Sequence, residues 1–259
     1  MFAAILYTYC DMIYIVAIII ILLLILFVCM FLRNCDKSKS RIASYYFGSK
    51  SNGRPTVGFL AGVHGNEPAG AIALQTLVDS GYFEKLAKNC DINIIVVPCA
   101  NVYGLREDKR WTDNIFHPDL NRSFSSVVGD APDAKEILKI FSTADLIVDF
   151  HEGWGWHRKT SRSIGSTVSP TITQDGVSLE IAEKINNALN MTITNNEHKF
   201  TLLPNISCDI RSTLSCNMEM VGRNYILIET TGQKNIQPLD VRLSQIITSI
   251  KIVCGFICR

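Results

Sequence analysis

The 259 residues carry 25 basic and 24 acidic side chains, a formal net charge of +1, so no basic face for nucleic acid is implied. At 47% hydrophobic and 19% charged, the chain is globular, with more apolar content than a soluble domain of this size needs. Its nine cysteines include no C-x-x-C pair, so neither a zinc knuckle nor a disulfide framework follows from their spacing.

The apolar surplus is local. Met12 to Leu32 is a run of 21 uncharged residues, mostly Ile, Leu and Val, long enough as a helix to cross a bilayer core. It is too long for the apolar part of a cleaved signal peptide and lacks a basic flank before it. Residues 1–33 are therefore expected to be a single-pass membrane anchor. Arg33, Lys37, Lys39 and Arg41 follow the run while Asp11 precedes it, which by the positive-inside rule puts the rest on the cytoplasmic side. Cys29 and Cys35 flank the membrane boundary, where palmitoylation is an option. The polar stretch 34–41 reads as a linker and 42–259 as one domain without internal repeats. If that domain were exported, Cys208/Cys216 and Cys254/Cys258 are the pairs spaced to bridge.

Within the domain, Ser44 to Phe47 and Thr56 to Ala61 read as strands separated by a Gly-Arg-Pro turn. Pro68 to Ser80 reads as a helix that stops at Gly81. Ile92 to Val97 is a solid apolar block, as in a strand buried on both faces. The polar stretch from Ala100 to Asp130 reads as one long loop, a length that points to function. Ala131 to Thr143 (helix), Leu146 to Phe150 (strand) and Gly176 to Leu189 (helix opening on Asp175) follow. Ser212 to Val221 (helix), Tyr225 to Ile228 (strand) and Val241 to Ile252 (helix) complete the chain. Strands alternating with helices predict an α/β domain, a mostly parallel sheet between helix layers. In such sheets sites form at the carboxyl ends of strands.

Polar residues collect at those ends. His64 and Glu67 follow the first buried strand in Gly62-Val-His-Gly-Asn-Glu-Pro68. An imidazole and a carboxylate at that spacing supply two of the three protein ligands a catalytic zinc usually takes. Alone, the pair is an ordinary polar turn. His151, directly after a later strand, is the candidate third ligand, with Asp149 placed to hold its second ring nitrogen. Glu229 ends the last strand and is the candidate proton acceptor and donor. Inside the long loop, Asn121 and Arg122 are suited to grip a carboxylate. Arg110 is a fixed positive charge for an oxyanion, with Arg106 its rival. Trp154 and Trp156 lie on a glycine-hinged loop beside the third ligand, while His117, His157 and His198 have no partner spacing and read as surface residues.

His64-x-x-Glu67, Asn101-Val-Tyr-Gly104, Arg110, Asp119-Leu-Asn121-Arg122, Asp149-x-His151 and Ile228-Glu229-Thr230 stand in the order seen in a known clan. Over about Thr56 to Gln233 the chain resembles the zinc carboxypeptidases of the carboxypeptidase A clan. That clan includes murein-peptide carboxypeptidases and the succinylglutamate desuccinylase and aspartoacylase group. The resemblance implies a mixed sheet of about eight strands and one zinc ion held by His64, Glu67 and His151. It also implies Glu229 as general base and acid, Asn121 with Arg122 as the carboxylate clamp, and Arg110 polarising the scissile carbonyl.

The sequence thus predicts a membrane-anchored zinc hydrolase that cleaves an amide next to a free carboxylate, a metallocarboxypeptidase acting on peptides. An N-acyl amino acid amidohydrolase is the alternative enzyme. A non-catalytic, membrane-tethered binding domain is the alternative outside enzymes. Arg211, in the stretch from Ser163 to Arg223, is a candidate selector of acidic side chains.

Overall fold

The computed structural model describes residues 42–49, 53–204 and 211–258. From Ile42 onward they form one compact unit.

The strands are β1 (Tyr45–Phe47), β2 (Thr56–Ala61), β3 (Asn93–Val97), β4 (Leu146–Gly153), β5 (Thr167–Pro170), β6 (Thr201–Leu202) and β7 (Asn224–Thr231). They form one seven-stranded sheet in the order β1-β3-β2-β4-β7-β5-β6. The central four, β3, β2, β4 and β7, run parallel. β1 closes one side antiparallel to β3, and β5 turns antiparallel against β7. The expected α/β class and mixed sheet are present; among the described residues the sheet has seven strands, where the resemblance implied about eight.

Period-two alternation divides the core. Phe59, Ile94, Val96, Val148, Phe150, Ile226 and Ile228 pack on one face. Leu60, Ile95, Val97, Ile147, Tyr225 and Leu227 pack on the other. The sequence showed these strands as solid apolar blocks because both faces are covered. Phe59 is fully buried at the centre, and truncating such a residue to Ala typically costs about 3–5 kcal/mol.

The helices are α1 (Pro68–Asp79), α2 (Tyr82–Cys90), α3 (Val102–Arg106), α4 (Pro132–Ile140), α5 (Val177–Asn190), α6 (Leu214–Met220) and α7 (Leu239–Ile257). Pro68 opens α1, where its missing N–H costs nothing. Gly81, expected as a stop, also starts α2 from a left-handed conformation. α2 buries Phe83 and Ala87, one helical turn apart, a spacing too brief to stand out in the sequence. The expected long loop contains α3 and a 3-10 turn at Leu120–Arg122. β5 and β6 escaped sequence reading because they are short and lack an apolar run.

Two expectations need correction. Single-pass membrane anchoring is not supported: among the described residues no helix is long and apolar enough to cross a membrane. The run 12–32, the linker 34–41 and Cys29 and Cys35 lie outside the described residues. The cysteine expectation also changes, because Cys90 and Cys258 form a disulfide between the ends of α2 and α7. Cys254 is a buried free thiol and not a partner of Cys258, and Cys208 is outside the described residues.

Candidate metal centre

β2 ends at Ala61, and the chain turns at once through His64 to Glu67 before α1 begins. The turn closes through Glu67 N–H donating to the His64 carbonyl at 3.2 Å. Gly65 packs directly on the Gly104 backbone of α3, so any side chain there would collide with it. His64 and Glu67 are thereby both buried at the sheet's carboxyl edge.

β4 is longer than its apolar run. His151, Glu152 and Gly153 stay in the ladder, opposite Glu229, Thr230 and Thr231 of β7. Alternation then sorts the side chains. Asp149 and His151 share one face of β4, and Tyr225 and Glu229 share one face of β7. Glu152 points the other way, toward the start of α1, where its Oε1 accepts from Ala69 N–H at 2.6 Å.

Ligand atoms of His64, Glu67 and His151 all lie within 4.8 Å of one another. The two Nδ1 atoms are 3.1 Å apart. Each also faces Glu67, His64 Nδ1 at 2.9 Å from Oε1 and His151 Nδ1 at 2.9 Å from Oε2. Only one proton can lie between two imidazole nitrogens so placed, so the set is better satisfied by a shared cation. Two imidazoles and a carboxylate suit a divalent transition metal, zinc included.

The second ring nitrogens also face carboxylates. His151 Nε2 lies 3.3 Å from Asp149 Oδ2 at ion-pair distance but without hydrogen-bond geometry, and the same oxygen accepts from the Tyr225 hydroxyl at 2.8 Å. His64 Nε2 lies 3.2 Å from Asp119 Oδ1. No local spacing points to this contact; in the sequence Asp119 is marked only as part of the Asp-Leu-Asn-Arg motif. Carboxylate partners of this kind fix ring orientation.

Burial alone would raise the Glu67 pKa, but the charges and hydrogen bonds of His64 and His151 outweigh it and hold the carboxylate well below its ordinary range. Burial likewise opposes ionisation of Asp119, yet His64 and then Arg110 bring it down to about 2. His151 goes the other way: burial disfavours its charge, but Asp149 and Glu67 raise it well above the usual histidine value. Glu229 is raised well above an ordinary carboxylate, first by burial and then by Glu67 and Asp149, against the opposing pull of His151 and Arg110.

Arg110 is brought to the cluster. Its Nε and Nη2 donate to Asp119 Oδ2 at 3.1 and 3.0 Å, leaving Nη1 directed at His64 and Glu67. Asn101 supports this loop, its Oδ1 accepting from Gly104 N–H and its Nδ2 donating to the Arg110 carbonyl. Arg106, the rival, is exposed and pairs with Glu107. Asn121 is engaged through Oδ1 with Leu214 N–H, and Arg122 is exposed, donating to the Asn121 carbonyl. Neither touches the metal cluster. Arg211 is exposed beside the undescribed residues 205–210. Two presumed surface histidines have partners: His198 stacks on Trp156, and His157 contacts the Ser163 carbonyl.

The sequence carries no signal for the roles of Gln233 and Arg242, and it marks Glu152 only as the start of the Trp-rich stretch after His151. Gln233 donates to Glu67 Oε1 at 2.9 Å, and a buried ion pair joins Arg242 to Glu152.

The fold is shared with several solved structures. The product-bound cell shape determinant Csd4 of Helicobacter pylori matches with a TM-score of 0.66 at 16% identity, over 84% of this chain and 55% of that one. The mDAP-bound form of Csd4, described as a D,L-carboxypeptidase, matches with 0.64 at 16%, over 82% and 54%. A protein of Shewanella denitrificans assigned as a metallopeptidase matches with 0.63 at 17%, over 85% and 80%. The chain spans about half the length of the Csd4 structures. No curated protein matches in sequence. The model of the succinylglutamate desuccinylase/aspartoacylase catalytic domain matches residues 54–249, which include every residue of the cluster. By that match the chain belongs to the succinylglutamate desuccinylase/aspartoacylase family.

Proposed function

We propose that the unit from Ile42 onward is a zinc-dependent hydrolase that cleaves an amide bond next to a free carboxylate, acting as a carboxypeptidase on peptides. The observation that carries this reading is the convergence of His64, Glu67 and His151 with Glu229 on the neighbouring strand. Those three residues would hold the ion. When bound there, zinc supplies Lewis acidity toward a water and a carbonyl oxygen.

The remaining chemistry belongs to side chains. Glu229, a carboxylate whose burial raises its proton affinity, takes a proton from the attacking water and returns it to the leaving nitrogen. Arg110, held by Asp119, offers Nη1 to the negative charge that develops on the carbonyl oxygen. Asn121 and Arg122 bind the substrate carboxylate; the exposed Arg122 guanidinium has donors to spare for it.

Membership of a family named for a desuccinylase and an aspartoacylase favours a second reading, hydrolysis of an N-acyl amino acid. Csd4 structures with tripeptide and with mDAP favour the peptide. The test is zinc content together with hydrolysis of C-terminally varied peptides and of N-acetyl and N-succinyl amino acids, with Glu229→Gln as control. Cleavage by the parent and at least about a hundredfold loss in Glu229→Gln is the expected result. A zinc-loaded parent that cleaves none of these compounds would leave a binding domain instead.

A further inference from the structure

Glu67 is gripped from outside the metal cluster. Its Oε2 accepts from Glu152 N–H at 3.0 Å, and its Oε1 accepts from Gln233 Nε2 at 2.9 Å. The same Gln233 nitrogen donates its other hydrogen to the Glu152 carbonyl at 2.7 Å. Each Glu67 oxygen therefore spends one lone pair on a protein donor and keeps the other for the imidazole side.

The chain goes to some length to present this amide. Directly after Gln233, Lys234 and Asn235 both have positive φ, 61° and 54°, a conformation costly for residues with a side chain and maintained only where the surroundings impose it. Those surroundings are visible. Arg242 of α7 reaches Asn235 Oδ1 at 3.3 Å and pairs with Glu152 in a buried ion pair. Gly232 lies against that pair so closely that a Cβ would overlap the Glu152 carboxylate. Glu152 closes the ring by holding Ala69 N–H, two residues beyond Glu67.

We propose that Gln233 is a positioning residue for the metal site: its amide, set by the Glu152–Arg242 pair, fixes the plane of the Glu67 carboxylate and so the affinity for the ion. The assignment rests on the metal-dependent reading above. Gln233→Met keeps the length and volume of the side chain and removes the donor. Gln233→Glu sets a second carboxylate against the first.

The test is zinc affinity by chelator competition on the full chain, with the visible spectrum of the cobalt-substituted protein and the melting temperature of the metal-free form. Gln233→Met is expected to bind zinc about tenfold more weakly, with an altered cobalt spectrum and a metal-free melting temperature close to the parent's. Gln233→Glu is expected to lose more. Zinc affinity of Gln233→Met within about twofold of the parent overturns the assignment. So does a loss of metal-free stability as large as the loss of binding, which would make Gln233 a structural tie. A parent that binds no zinc overturns this assignment and the functional reading together. A parent that binds zinc tightly, weakens as described in Gln233→Met and yet cleaves no substrate overturns the functional reading alone.

Discussion

Asp119 joins Arg110 to His64: one carboxylate oxygen accepts from two guanidinium nitrogens while the other lies 3.2 Å from His64 Nε2. One side chain thus sets both an imidazole of the metal cluster and the cation beside it. Asp119→Asn keeps the shape but removes the charge. Metal affinity is expected to fall about ten- to a hundredfold, read by chelator competition. kcat/KM is expected to fall further than metal affinity explains, because Arg110 loses its fixed orientation. A variant as active as the parent at saturating zinc would show that Arg110 is held by other means.

The His64, Glu67 and His151 cluster is preformed in the fold and absent from the unfolded chain, so zinc held there by the proposed function is expected to stabilise the fold. At free zinc about a thousand times the dissociation constant the gain is about 4 kcal/mol. Removing the ion with EDTA should lower the melting temperature, and returning zinc should restore it. Glu67→Ala should show neither response. A melting temperature indifferent to zinc in the parent would refute the metal centre.

The hydroxyl of Tyr225 donates to Asp149 from full burial, and the other Asp149 oxygen has no hydrogen-bond partner. Tyr225→Phe leaves that carboxylate less satisfied, at a cost of about 1–3 kcal/mol. Denaturant unfolding at neutral pH measures it. The loss should appear without any change in unfolding cooperativity.

The disulfide between Cys90 and Cys258 closes a loop with a sequence separation of 168. Cys258→Ser is expected to lower stability by about 3 kcal/mol. Reductant should destabilise the parent by a similar amount and leave the variant unchanged. Equal stability of parent and variant under oxidising conditions would mean that the bridge does not form in solution.

Asp175 was expected to cap α5, but the cap position belongs to Gly176, and Asp175 stands one residue before it. Its Oδ1 accepts from Thr173 and from Val177 N–H, and its Oδ2 from Asn224. These hydrogen bonds, that from Asn224 foremost, lower its pKa from 3.8. A carboxylate with a depressed folded value contributes fully above 3.8 and loses its contribution as pH falls through the lower folded value. Asp175→Ala removes these hydrogen bonds and is expected to cost about 1 kcal/mol at pH 7, and the gap from the parent should close at the acid end of that window. The side chain is exposed, so added salt should blunt its charge-dependent part.

What the sequence determined was local. Val57 to Ala61, Ile94 to Val97 and Ile226 to Ile228 announced themselves because strands covered on both faces need unbroken apolar runs. His64, Glu67, His151 and Glu229 were legible because each stands where such a run ends, and a parallel sheet gathers those ends along one edge. Tertiary structure alone decided the rest. Gln233 reaches Glu67 across a separation of 166 residues, and Arg242 reaches Glu152 across 90. Cys90 finds Cys258, and Asp119 finds His64, through packing that no local pattern encodes. Hydrophobic periodicity specifies which face of an element is buried, but which polar groups meet at its edge depends on how the elements stack, and that is settled only once the core has closed.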